Sequence, residues 1–347
     1  MYPQNNNRQK HTYNSTILDF SSAIWHGAEI QLLSEHLSNN LEDFLRNYPE
    51  SDASSLRTMI ARRNGLDEEE IIITNGPTSA FYLIAQAFSK SKVLLPSPGL
   101  PEIEKSCTLY NCEIEKVNSH APIDEWPLEG KDICFITTPN LPDGRIVSHN
   151  ELQRLFKQYP KVLFVVNQSY ASFTTTNKLK SADLKTYANV LMVWSFSQPY
   201  GIPGLRIGYI TADKKIAQKI WRYFVPSTVT TAALEAAKYI LIHPAQFTLP
   251  IRKWLRSAQE LMSHLKQIDG LEIIFSETPF FLMRVKNGGS ASLQQFLEEE
   301  KGIKVELGNR YMDISDEYIF IVARKEEENA LLINAIEEYF SQNNPNS

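Results

Sequence analysis

Through the middle of the chain, short apolar and β-branched runs alternate with stretches whose apolar positions recur every three or four residues. The runs Lys92–Pro96, Ile133–Thr137, Val162–Val166, Val190–Trp194 and Leu205–Ile210 read as strands. Their near-continuous apolar character predicts a sheet covered on both faces. Between them, Thr78–Phe88, Asn150–Gln158 and Asp213–Tyr223 carry the helical period. Repeated strand–helix–strand units predict a mostly parallel sheet with right-handed crossovers, and hence an α/β fold. After about Thr228 the order changes. Thr231–Ile242 is an Ala-rich helix, and Phe247–Ile268 continues helical with Pro250 expected to start or kink its second part. Strand-like runs follow at Glu272–Phe275 and Phe280–Val285, then a helix at Ser292–Glu299, strands near Val305 and over Tyr318–Val322, and an amphipathic helix, Glu327–Phe340. This second half reads as a smaller α+β domain.

Composition narrows the class without naming an activity. The 347 residues are 43% hydrophobic and 22% charged, ordinary for a globular protein. Thirty-five basic against 40 acidic residues leave a net charge of -5, which argues against a broad nucleic-acid or anionic-membrane footprint. The three cysteines, Cys107, Cys112 and Cys134, follow no metal-ligand spacing and suit a reducing compartment as small buried residues. The first sixteen residues are polar, and no apolar run is long enough to span a bilayer, so a cytoplasmic location is expected. His26 and His149 stand alone in sequence and read as surface or cap residues, and the acidic run Asp67–Glu70 reads as a solvated turn.

The most informative segment runs from Ser195 to Tyr209, Ser-Phe-Ser-Gln-Pro-Tyr-Gly-Ile-Pro-Gly-Leu-Arg-Ile-Gly-Tyr. It resembles the cofactor-lysine segment of fold-type I pyridoxal-phosphate enzymes, in particular the branch of histidinol-phosphate aminotransferase and threonine-phosphate decarboxylase. Other landmarks follow in the family's order. Tyr48-Pro49 with Leu56-Arg57, Ile73-Thr-Asn-Gly-Pro-Thr78, Pro96-Ser-Pro98, Pro139-Asn-Leu-Pro-Asp-Gly144, Val166-Asn-Gln-Ser-Tyr170 and Glu327-Glu-Asn329 each resemble a family element. The resemblance covers roughly Asp19 to Phe340, and an ordered series of this length is far more specific than a lone glycine-rich motif. It implies a large α/β domain at residues 46–240 and a smaller α+β domain built from residues 1–45 and 241–347. It also implies pyridoxal phosphate as cofactor and a two-fold dimer with Tyr48 reaching the neighbouring subunit's site.

Carried over position by position, the resemblance keeps the phosphate end. Ser195 and Arg206 match phosphate ligands, Gly76 and Thr78 lie in a turn at a helix N-terminus that favours an anion, and Tyr170 matches the tyrosine that bonds the cofactor's phenolic oxygen. Each also has a plainer reading: a strand-end Ser caps a turn, an Arg pairs with a carboxylate, a Tyr packs. The chemical end departs from the family. Gln198 stands at the lysine position, eight residues before Arg206, and a carboxamide neither forms an imine nor acts as a base near pH 7. Asn167 replaces the aspartate that faces the pyridine nitrogen, so the charge that keeps that nitrogen protonated is lost. Leu141 replaces an asparagine, Leu100 an aromatic that stacks on the ring, and Phe320 the arginine that clamps a substrate carboxylate. Arg324, four residues on in a strand, keeps the same face as Phe320.

The expectation is an aminotransferase-like protein without normal transaminase or decarboxylase activity. It would bind a phosphorylated small molecule, or pyridoxal or pyridoxamine phosphate non-covalently. The alternative is a working aminotransferase or decarboxylase of this type, with an imine at another lysine. Lys178, Lys180 and Lys185 are nearest in sequence and read as a solvated face.

Overall fold

The computed structural model describes residues 17–286 and 289–343; the polar first sixteen residues and the Asn-rich end lie outside them. A seven-stranded sheet forms the centre. Its order is Ile71–Thr74, Gly208–Ala212, Val190–Ser195, Leu163–Asn167, Ile133–Thr137, Lys92–Ser97 and Glu113–Asn118. Only Gly208–Ala212 runs antiparallel to its neighbours. Alternate side chains feed two cores, as the pleat requires. Ile73, Leu94, Ile136, Phe164 and Met192 pack on one face under Ser54–Asn64, His149–Gln158 and Thr231–Ile242. On the other face Ile72, Leu95, Phe135, Val165 and Ile210 pack under Gly76–Ala87, Pro101–Leu109 and Lys214–Trp221. Burial on both faces is what made these strands read as continuous apolar runs.

One expected strand is misplaced. Leu205–Ile210 does not form a strand as a unit, because Pro203–Leu205 is a 3-10 turn and Arg206 has φ +53°. The strand begins at Gly208, where an added Cβ would stand 2.6 Å from the Trp194 carbonyl. Pro250 does start the helix Ile251–Leu265, after a 3-10 turn at Pro244–Phe247.

The smaller layer is an antiparallel four-stranded sheet, ordered Glu306–Leu307, Tyr318–Val322, Phe280–Val285 and Leu271–Ile274. It packs on Ile251–Leu265, Ser290–Lys301 and Glu326–Asn343 through Leu261, Leu265, Leu297, Leu332 and Ile336. Of the stretch expected to join the smaller domain, the described residues 17–45 divide between the two layers. Leu18–Asp19 pairs in parallel with Ile303–Lys304, and Phe20 is buried in the smaller core. Leu33, on the helix Gln31–Asn39, is instead buried in the large core. A third cluster joins the layers: Tyr170 and Phe173 from the large one meet Trp254, Phe280 and Phe320 from the small one.

Candidate functional site

The parallel strands end side by side with polar residues. Ser97, Thr137, Asn167 and Ser195 are the last residues of their strands, and Thr74 ends the outer strand on the far side of Gly208. This carboxyl edge is where open α/β sheets place their ligands.

At one end of the edge a cradle is built around Gly76. Strand Ile71–Thr74 turns directly into the helix Gly76–Ala87, with Pro77 at its first turn, where a missing N–H costs nothing. Gly76 has φ +76°, and a Cβ there would lie 2.5 Å from Arg206 Nη2, so the bare glycine lets the guanidinium rest on the helix start. Arg206 Nη1 donates to the Pro203 carbonyl at 3.3 Å and reaches Ser197 Oγ at 3.5 Å. Ser195 Oγ accepts from Ser197 N–H at 3.0 Å. Gly76, Thr78, Ser195 and Arg206 thus gather where free helix N–H groups and a guanidinium favour an anion. Ser197, buried beside Arg206, joins them without having been singled out in the sequence. Its signal was the hydroxyl two residues after Ser195 in the same segment.

Next along the edge is Gln198, in the four-residue helix Ser197–Tyr200. Its carboxamide stands beside the Tyr170 phenol, and its Oε1 is buried with no partner among the described residues. Burial pushes the Tyr170 hydroxyl well above its usual range; Gln198 and Arg206 offset only part of this. The N-terminal segment seals this side. Trp25 N–H donates to the Gln198 carbonyl at 2.9 Å, and the Trp25 ring sits 4.8 Å from that of Trp254.

Asn167 is buried, and its carboxamide is engaged locally. Its Oδ1 accepts from Ser169 N–H at 3.1 Å and Ser169 Oγ at 2.7 Å, while Nδ2 reaches Thr137 Oγ1 at 3.4 Å. Leu141 and Phe320, 6% and 0% exposed, belong to the apolar cluster around Tyr170. Phe320 lies 5.8 Å from Phe280 and 5.2 Å from Tyr311, ring to ring. Leu100 bridges this cluster and the core of the large layer. Arg324 is committed elsewhere: it forms two bonds to Glu328, at 3.1 and 2.9 Å, and one to the Asp19 carbonyl at 2.9 Å.

Two sequence readings gain a contact. Lys178 is exposed, as are Lys180 and Lys185, but its Nζ donates to the Ala171 carbonyl at 2.9 Å, and desolvation of the amine draws its pKa below the usual lysine range. His149 is not isolated, since Nε2 lies 3.4 Å from Asp183 Oδ2. Tyr48 stands apart from the others, 95% exposed. A cleft of 620 Å³ opens beside the site, lined by Trp25, Tyr200, Lys253, Trp254, Arg324 and neighbours, but not by Gln198, Asn167 or Arg206. No helix among the described residues is long and apolar enough to cross a membrane, and no metal-binding group occurs among them.

The donor set fits pyridoxal phosphate at one end only. The glycine cradle under Arg206 suits its phosphate. The ring and aldehyde ends meet an amide, an internally bonded Asn167 and apolar side chains, so no chemical step is derived through this group.

Comparison with known proteins agrees with this architecture. Residues 25–333 match the family model for aminotransferase class I and II. A crystal structure described as L-threonine-O-3-phosphate decarboxylase from Porphyromonas gingivalis superposes with a TM-score of 0.92 at 42% identity, covering 94% of this chain and 100% of that one. Histidinol-phosphate aminotransferase from Clostridium acetobutylicum shares the fold at TM-score 0.85 and 19% identity, covering 94% of this chain and 100% of that chain. The histidinol-phosphate aminotransferase of Ruminiclostridium cellulolyticum is 27% identical over 306 residues, 83% of this chain and 82% of that protein. Its sheet, its ordered motifs and these matches together place the chain in the class I and II aminotransferase family.

Proposed function

We propose that this protein binds a phosphorylated small molecule without a covalent bond and does not turn over as a normal transaminase or decarboxylase. The observation that supports this reading is the carboxamide of Gln198, which the resemblance aligns with the lysine, standing next to Tyr170 while Arg206 rests on the Gly76 cradle. General acid–base help alone is worth about 10²–10⁴-fold, and the covalent step is lost besides. Pyridoxal phosphate and pyridoxamine phosphate are among the ligands, held by their phosphate. A cytoplasmic two-fold dimer is part of the same proposal, and the exposure of Tyr48 supports a role across the interface.

The test is a pyridoxal-phosphate titration followed by imine absorbance and melting temperature together, then borohydride reduction and mass mapping. The expected result is a saturable rise in melting temperature with no reduced adduct, because ligand binding to the native state stabilises it by mass action. A reduced adduct on one lysine refutes the reading, and Lys178 is the first to inspect, its amine already depressed by burial.

A second reading draws on the 42% likeness to the protein described as a threonine-phosphate decarboxylase. It makes the chain a working decarboxylase or aminotransferase with a phosphorylated amino acid as substrate, and it requires that adduct.

A further inference from the structure

Two of the three cysteines lie outside the candidate site and are brought together by the way one helix ends. The helix Pro101–Leu109 runs out through Tyr110 and Asn111 into the edge strand Glu113–Asn118. Asn111 N–H donates to the Thr108 carbonyl at 3.1 Å, Cys112 N–H donates to the Cys107 carbonyl at 3.0 Å, and Asn111 has φ +56°. Two nested bonds around a left-handed residue make a Schellman ending, and asparagine is one of the few residues besides glycine that takes this conformation readily. Such an ending commonly packs its first side chain against its last, and here both are cysteines.

The geometry suits a bond between them. The 3.0 Å backbone bond keeps the two Cα atoms within about 7 Å even if the linkage were straight, and closer as it bends, which is inside the reach of a disulfide. The thiols interact directly, the Cys107 group favouring the thiolate of Cys112. Burial raises both thiol pKa values, that of Cys107 to about 12, while the Ser91 and Lys90 backbone N–H groups and the Cys107 thiol offset part of the rise at Cys112. Cys107 is 0% exposed and Cys112 is half-buried, so Cys112 is the sulfur a reagent meets first. Cys134 takes no part, since it packs on the other face of the sheet from Cys107.

We propose that Cys107 and Cys112 are a site of reversible oxidative modification, closed to an intramolecular disulfide by a low-molecular-weight disulfide such as oxidised glutathione. The Cys112 thiolate attacks one sulfur of the reagent, forming a mixed disulfide and expelling one thiolate. The Cys107 thiolate then attacks the Cys112 sulfur and expels the second. The protein gives up two hydrogens as two protons and two electrons; the electrons reduce the reagent's S–S bond, and the protons leave on its two thiols. In a reducing compartment such a pair stays reduced and closes as the thiol pool turns oxidising. The bond ties the start of the edge strand, which is largely exposed and paired on one side only, to the helix that begins beside Leu100. This site is independent of the reading proposed for Gln198.

The test incubates the folded, full-length protein with oxidised glutathione at about pH 8, where more of the thiol is ionised. After an acid quench and removal of the reagent, free thiols are alkylated in urea and tryptic peptides are weighed. Both cysteines fall in one peptide, Ser106–Lys116. The expected result is that peptide two hydrogen masses lighter and unalkylated, with Cys134 alkylated, and a full return of three alkylated thiols after dithiothreitol. Cys107→Ala should stop at a glutathione adduct on Cys112, and Cys112→Ala should leave the buried Cys107 unmodified over the same time. Three free thiols in the parent protein, or a glutathione adduct on Cys112 that persists there without closing, overturns the proposal. So does a linkage that forms only when the oxidant is added in urea, because the folded turn is then not what brings the sulfurs together.

Discussion

Replacing Gly76 by Ala isolates the anion cradle from the rest of the fold. Two effects combine at this position. An L-residue at φ +76° costs about 1–2 kcal/mol, partly offset by about 0.4–1 kcal/mol because alanine restricts the unfolded chain. The net loss of stability is thus between about 0 and 1.6 kcal/mol. Separately, the new Cβ would sit 2.5 Å from Arg206 Nη2, where ordinary contact begins at 3.4 Å, so the guanidinium must withdraw. That removes a charge-assisted bond to a bound phosphate, worth about 1.5–3 kcal/mol, or roughly 10- to 100-fold in Kd. Gly65→Ala supplies the control. Gly65 has φ +64° at the end of the helix Ser54–Asn64, and nothing lies within 4 Å of its missing Cβ. Both variants should therefore lose similar stability in urea melts, while only Gly76→Ala loses affinity for inorganic phosphate or pyridoxamine phosphate by titration calorimetry. If Gly76→Ala binds like the parent, or if Gly65→Ala loses as much affinity, Arg206 on Gly76 is not a phosphate cradle.

Gln198→Lys alone should leave turnover at least ~100-fold below that of an intact family member, since Asn167, Leu141 and Phe320 remain; a robustly active single variant, assayed with pyridoxal phosphate and an amino donor, refutes this. Phe320→Arg should cost several kcal/mol in urea melts, because it puts a guanidinium where Phe320 is 0% exposed between Phe280 and Tyr311; retained stability would mean the cluster opens readily to water. Asp143 raises the His120 pKa by accepting its hydrogen bond, so this pair stabilises the fold fully below the unfolded value near 6.5 and loses that contribution as pH climbs through the folded value. The His120 side chain is 54% exposed, which limits the effect to under about 1 kcal/mol, and His120→Gln should flatten that part of the stability–pH curve. Burial pushes the Cys107 thiol up to about 12 and also raises those of Cys112 and Cys134, so a thiol reagent should label the native protein slowly and the urea-unfolded protein at all three positions.

What could be read in the sequence follows the reach of each interaction. The strands Ile133–Thr137 and Phe280–Val285 and the helix Thr231–Ile242 were legible to the residue, because burial on both faces, or an alanine-rich helical period, is written locally. The edge strand Glu113–Asn118 was not singled out: it reads EIEKVN, largely exposed, and is held by pairing with Lys92–Ser97. Leu205 misled because its apolar neighbours mimic a strand while Arg206 takes a left-handed turn. The site's positions could be located through local motifs, but its contacts could not. Arg206 meets Gly76 across 130 residues of chain, and the exposed Lys178 bonds the Ala171 carbonyl without any pattern that announces it. This distinction also separates the two ends of the site. The phosphate end rests on backbone N–H groups, a glycine without a Cβ and one arginine, and the glycine's left-handed backbone resists replacement. The ring end rests on individual side chains, each exchangeable by one substitution. Leu141 and Phe320 add apolar contacts between the two layers. Such contacts stabilise the fold whether or not a ligand is bound, so placing polar residues there one at a time would unpack the junction before it built any chemistry.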